Sequence, residues 1–135
     1  MRQRKIYLAG ASSEYLRVRA IMDLLREQGH IITHDWTVPV EQMVLSRMSE
    51  SSLFEDEASA RVQECATGVR ECDTFVLLVP RSTTITWGAP IELGLAWALG
   101  KDIFFLGALA GIFRTIATCT VSSESLLLQA LRVDA

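Results

Sequence analysis

Asp73 to Pro80 (DTFVLLVP) is a nearly unbroken apolar run bounded by an acid and a proline. It lacks the polar alternation of a half-exposed strand, so it reads as the central strand of a parallel sheet covered on both faces. Parallel neighbours need crossover helices, and helical patterns lie on either side of this run. Upstream, residues 54–71 carry Ala58, Val62, Cys65, Ala66 and Val69 as a predicted inward stripe. Downstream, Ala89 to Leu99 reads as a helix closed by Gly100, and Asp102 to Leu106 as the fourth strand. Further out, Lys5 to Ala9 (KIYLA) is a first strand ending at Gly10. Ser12 or Ser13 then opens a helix to about Gln28, with Leu16, Ile21, Leu24 and Leu25 facing in and Gly29 as its C-terminal cap. His30 to Trp36 reads as strand two, and residues 37–52, with Pro39 and several serines, as a long loop. Ile112 to Val121 holds a short helix and the fifth strand, and Ser122 and Ser123 open a last helix through Leu131. The alternation predicts an α/β protein: a single domain over residues 1–135, built as a flavodoxin/Rossmann-like three-layer sandwich on a five-stranded parallel sheet.

Composition narrows the partners. Half of the 135 residues are hydrophobic and 21% are charged, which suits one globular core and not a disordered chain. A net charge of -3, with arginines scattered among acids, argues against a nucleic-acid polymer. Arg2, Arg4 and Lys5 form the one basic cluster and read as a solvated chain start. Cys65, Cys72 and Cys119 make no CxxC pair and are expected to be reduced thiols. They combine with His30 and His34 in no zinc spacing, so neither metal nor redox cofactor is indicated. The apolar stretch Ile103 to Phe113 is interrupted by Gly107 and Gly111 and is too short for a bilayer. A soluble, cytoplasmic protein without a membrane partner is the expectation.

In a sheet of this type ligands bind beyond the carboxyl ends of the strands, where strand order reverses. Three segments are expected to meet there: Gly10 to Ser13, Arg81 to Gly88, and the start of the helix carrying Glu92. Gly10 admits close approach of backbone, and the helix start behind it offers N–H groups to a phosphate or sugar hydroxyl; equally, Ser12 and Ser13 simply cap that helix. Glu92 falls in the first turn of an otherwise apolar helix, with no Lys or Arg three or four residues on. Either it complements the helix dipole, or it is a carboxylate held among apolar groups for chemistry.

The chain resembles the nucleoside 2-deoxyribosyltransferase superfamily, which includes 2-deoxynucleoside 5-phosphate N-hydrolases. The resemblance rests on KIYLAG (Lys5 to Gly10), GVRECDTFVLLVP (Gly68 to Pro80) and above all GAPIELGLAWALGK (Gly88 to Lys101). It implies cleavage of an N-glycosidic bond, or base transfer, on a (deoxy)nucleoside or nucleoside monophosphate. Glu92 matches the family's nucleophile, which attacks the sugar carbon and forms a covalent glycosyl intermediate. That role is chemically apt, because an anionic carboxylate stabilises an oxocarbenium-like state and can trap it. The resemblance further implies an aromatic near the base, for which Tyr7, Trp36 and Trp87 are available. Gly10, Ser12, Ser13, Ser82 and Gly88 complete the candidate substrate contacts; Ser82 and Arg81 either meet a 5-phosphate or belong to a solvated loop. Assembly as a homodimer or larger homo-oligomer is also implied.

One departure stands out. The family carries an aspartate eight residues before the acid that opens strand three, and here that position is Cys65. A neutral thiol is a poorer proton donor than a carboxyl group. Glu64 or Asp73 then substitutes, or the reaction differs, or the chain is a nucleotide-binding or sensing module that keeps the pocket without turnover.

Overall fold

The computed structural model describes residues 2–81 and 87–133. Five strands, β1 (Lys5–Ala9), β2 (Ile31–Ile32), β3 (Thr74–Leu78), β4 (Asp102–Leu106) and β5 (Cys119–Val121), form one sheet in the order β2-β1-β3-β4-β5. Every pairing is parallel. The expected flavodoxin/Rossmann-like architecture is therefore observed, with its reversal between β1 and β3. All five residues of β3 are buried, as its unbroken apolar run requires.

Side-chain parity assigns the layers. Tyr7 meets helix α3 (Glu55–Glu71) through Gly68 and helix α4 (Gly88–Ala98) through Glu92, so α3 and α4 cover one face. Arg4, three residues earlier, points to the opposite face and meets the end of helix α5 (Glu124–Leu131). That second face also takes helix α1 (Tyr15–Glu27), whose Val18, Ile21, Met22 and Leu25 are buried at helical spacing. The predicted stripe was partly out of phase: Leu16 is 61% exposed, because the buried row runs through Val18 and Met22. Gly29 and Gly100 do end α1 and α4 in the left-handed region, at φ 89° and 71°. Ser123 caps α5, its hydroxyl accepting from the Leu126 amide at 3.2 Å.

Two further expectations need correction. Strand two stops at Ile32, not Trp36, and the segment read as loop is largely helix α2 (Thr37–Leu45). The cause is local. Asp35 accepts from the Thr37 amide at 3.0 Å and starts the helix, while Pro39 sits in its first turn, where a missing N–H costs nothing. Trp36 replaces a strand partner by donating its indole N–H to the Leu8 carbonyl at 2.8 Å. The basic chain start is not merely solvated either. Arg4 is buried, bonding to the Leu131 carbonyl at 2.7 Å and Thr74 Oγ1 at 2.9 Å. No helix among the described residues is long and apolar enough to cross a membrane.

Gly68 sets how closely α3 approaches the sheet. A Cβ there would lie 2.7 Å from His34 Cβ and 3.0 Å from the Tyr7 ring. Tyr7 cannot yield, since it is fully buried and stacks on Phe75 of the neighbouring strand at 5.8 Å. Gly68→Ala is expected to cost about 2 kcal/mol through overpacking. The melting temperature should then drop by roughly 5 °C. An unchanged thermal unfolding midpoint would show that α3 moves aside freely.

Candidate active site

A cavity of about 550 Å³ opens at the carboxyl edge of the sheet, bounded by α2, α3 and α4. That size suits a small organic ligand. Its walls are mostly apolar. Ala58, Val62, Cys65 and Ala66 contribute the i, i+4, i+7, i+8 face of α3, opposite Ile91 and Leu95 of α4. The apolar stripe predicted for α3 is thus real but mostly lines the cavity; only Val69 and Gly68 enter the core, and Val62 is 64% exposed.

Glu92 projects into this cavity from α4. The helix begins at Gly88, so Glu92 is its fifth residue and lies beyond the first turn. The dipole explanation weakens accordingly, since that effect fades within a turn. Among the described residues no Lys or Arg pairs with the carboxylate. Its partner is neutral: the Tyr7 hydroxyl donates to Glu92 Oε2 at 2.5 Å. The Cys65 thiol lies against both groups.

Burial dominates the electrostatics. It raises the Glu92 pKa above the ordinary carboxylate range, against the opposing pull of hydrogen bonds from Tyr7 and Cys65, and the nearby Glu50 carboxylate adds to the rise. Burial, with the charge of Glu92, drives the Tyr7 pKa far upward, so the phenol stays a donor. Cys65 is pushed up to about 11, again chiefly by burial. The thiol is therefore neutral and unsuited to act as a strong acid. One oxygen of Glu92 is held by Tyr7 while the carboxylate faces a mostly apolar cavity, with no ion pair to it among the described residues.

No family model matches the chain, and no curated protein matches it. Among solved structures, the Clostridium botulinum CMP N-glycosidase BcmB is similar, with a TM-score of 0.54 over 93% of this chain and 96% of that one. The aligned residues are 23% identical. The two proteins share a fold.

Of the residues expected at the site, Gly10, Ser12, Trp36, Trp87, Gly88, Glu64 and Glu92 line the cavity together. Tyr7 is fully buried behind Glu92 and orients it, in place of the predicted contact with a base. Ser13 is exposed and outside the lining. Ser82 lies outside the described residues. Gly10 also answers a packing need, because a Cβ there would meet Val18 Cγ2 at 2.8 Å.

Asp73 is removed from the candidates. It sits at the amino end of β3, accepting from the Lys5 amide at 3.2 Å and Thr74 Oγ1 at 2.7 Å. A five-residue strand separates it from the cavity edge by about 16 Å. Sequence reasoning missed His34, Met43, Glu50 and Arg61, all of which line the cavity. His34 had a signal, since it follows the true end of β2 and so falls on the ligand-binding edge. Among the described residues no cluster of His, Cys, Asp and Glu can hold a metal ion.

A carboxylate whose pKa is raised by folding stabilises the protein at pH values below its ordinary range and loses that contribution as pH climbs through the raised value. Replacing the charge should therefore help the fold near neutrality. Glu92→Gln is expected to raise the melting temperature by about 3 °C there, with the gain vanishing in acid. A lower midpoint at neutral pH would mean the ionised carboxylate is a net stabiliser.

Proposed function

We propose that this chain belongs to the nucleoside 2-deoxyribosyltransferase superfamily and cleaves the N-glycosidic bond of a (deoxy)nucleoside or nucleoside monophosphate, with Glu92 as nucleophile. The observation that carries the reading is the Glu92 carboxylate, unpaired with any cation among the described residues, held by Tyr7 and lining the cavity. The fold shared with a CMP N-glycosidase is consistent with it. Glu92 attacks the anomeric carbon as the bond to the base breaks; the bond electrons leave with the base, which takes a proton from solvent or a donor on the cavity wall. Water then hydrolyses the glycosyl ester, or a second base accepts the sugar. Trp36 and Trp87 at the cavity offer apolar faces for a base. Glu64, also on the wall, is the remaining carboxylate expected from sequence to assist. Ile91, Trp97 and Leu99 of the apolar α4 region are 66%, 56% and 47% exposed, which supports a second copy of the chain packing over this helix.

Incubation with a panel of nucleosides and nucleotides, followed by chromatography, should reveal free base. Glu92→Gln should reduce its release at least about a thousandfold. Loss of activity on the acid side should follow the raised pKa of Glu92, since only the carboxylate attacks. Tyr7→Phe removes a bond that favours the ionised form, so this limb should move to higher pH. A limb that stays in place would exclude Glu92 as the titrating group. A second reading, a binding module without turnover, is favoured by Cys65 standing where the family has an acid. Ligand-dependent thermal stabilisation with no base released would establish it.

A further inference from the structure

When Glu92 forms a glycosyl ester it surrenders its negative charge, and the departing base takes that charge up. A cation that speeds the step must sit where the charge arrives, not beside the carboxylate where it starts. Arg61 on α3 meets that requirement. It is half-buried and lines the same cavity as Glu92, and among the described residues no other Lys or Arg does. Glu57 and Glu64 lie four residues before it and three after it on the helix, at ordinary pairing distance. Arg61 nonetheless makes no hydrogen bond or ion pair among the described residues. Its guanidinium is left free at a cavity wall.

Helix geometry sets its level. Both α3 and α4 run from the carboxyl edge of the sheet to the amino edge, since each leads into the start of a parallel strand. Cys65 lies against Glu92. Arg61 is one turn earlier on α3, about 6 Å nearer the carboxyl edge. Trp87, just before α4, precedes Glu92 by five residues and stands about 7.5 Å above it. The guanidinium and an aromatic face offered to a base thus share a level, with Glu92 below both.

We propose that Arg61 binds the departing base through its ring carbonyl oxygens, so that the preferred substrate carries an oxo base such as uracil. The inference rests on the glycosidase reading above and narrows it by substrate class. As the bond from the anomeric carbon to the base nitrogen breaks, its electron pair passes to the base and spreads onto the carbonyl oxygens. The guanidinium fork donates to those oxygens, and a solvent proton neutralises the base after it leaves. Adenine has no carbonyl to receive the charge and depends on protonation, which the neutral Cys65 thiol serves poorly. A 5-phosphate suits Arg61 less well, because Glu50, Glu64 and Glu92 already make the described wall negative.

The test measures kcat/KM for nucleosides of uracil, 5-fluorouracil and adenine, and for their 5-monophosphates, in the unmodified protein, Arg61→Ala and Arg61→Lys. The unmodified protein should favour uracil over adenine at least about tenfold. Arg61→Ala should cost about a hundredfold on uracil nucleosides and under about threefold on adenine nucleosides. The more acidic 5-fluorouracil should lose about tenfold, a graded dependence on the leaving group that a merely structural role would not produce. Arg61→Lys keeps the charge without the fork and should fall between, which guards against an Ala variant that folds poorly. A loss equal for all bases, or no loss, overturns the proposal while leaving the glycosidase reading intact. So does a loss confined to the monophosphates, which would assign Arg61 to the phosphate. If no compound releases its base, the glycosidase reading falls and this inference falls with it.

Discussion

A half-buried hydrogen bond between a strand and a helix governs the site: Tyr7 on β1 donating to Glu92 on α4. Glu92 is the lone charged residue of an eleven-residue helix, and no lysine or arginine follows to neutralise it. A carboxylate in such surroundings is costly to desolvate unless donors meet it. Tyr7 supplies one, and can do so only because its own ring is immobile between Phe75 on the neighbouring strand and the backbone of α3 at Gly68. The strand therefore fixes the phenol, the phenol fixes the carboxylate, and α4 is tied to β1 across the face of the sheet.

The two ends of the sheet use charge in opposite ways. At the amino end, Arg2 and Arg4 approach Asp73 and Asp102, and Arg4 also lies 5.1 Å over the Phe104 ring. Those acids are paired with cations and anchor strand starts. At the carboxyl end the cavity gathers, among the described residues, three carboxylates (Glu50, Glu64 and Glu92) against the Arg61 guanidinium. The first arrangement neutralises charge at the strand starts, whereas the second leaves carboxylates facing a cavity, so acids of the same chemistry meet different surroundings at the two edges.

The strand alternation, the parallel sheet and the reversal beside β1 were legible because buried parallel strands announce themselves as apolar runs, DTFVLLVP and DIFFL foremost. The end of β2 was not, because Ile31, Ile32 and Thr33 favour a strand and Trp36 reads as its continuation, while Asp35 starting α2 and the Trp36 indole bonding Leu8 are tertiary and capping contacts that end it. Glu92 was legible as an acid without a helical cation partner. Tyr7 was noticed for its ring, whereas its hydroxyl matters. Asp73 was misjudged since sequence proximity to an apolar strand does not say which end of that strand an acid occupies relative to a ligand.

The order of residues by itself determined the α/β class, the strand and helix alternation, and the presence of one acid in an apolar helix, because those follow from local periodicity and composition. Tertiary structure alone decided that Tyr7 meets Glu92 across 85 positions, that the α3 stripe faces a cavity more than a core, and that Glu14 bridges to Arg81 across 67. Such contacts depend on where crossovers deliver each chain segment, and no local spacing encodes a distance between residues so far apart in the chain.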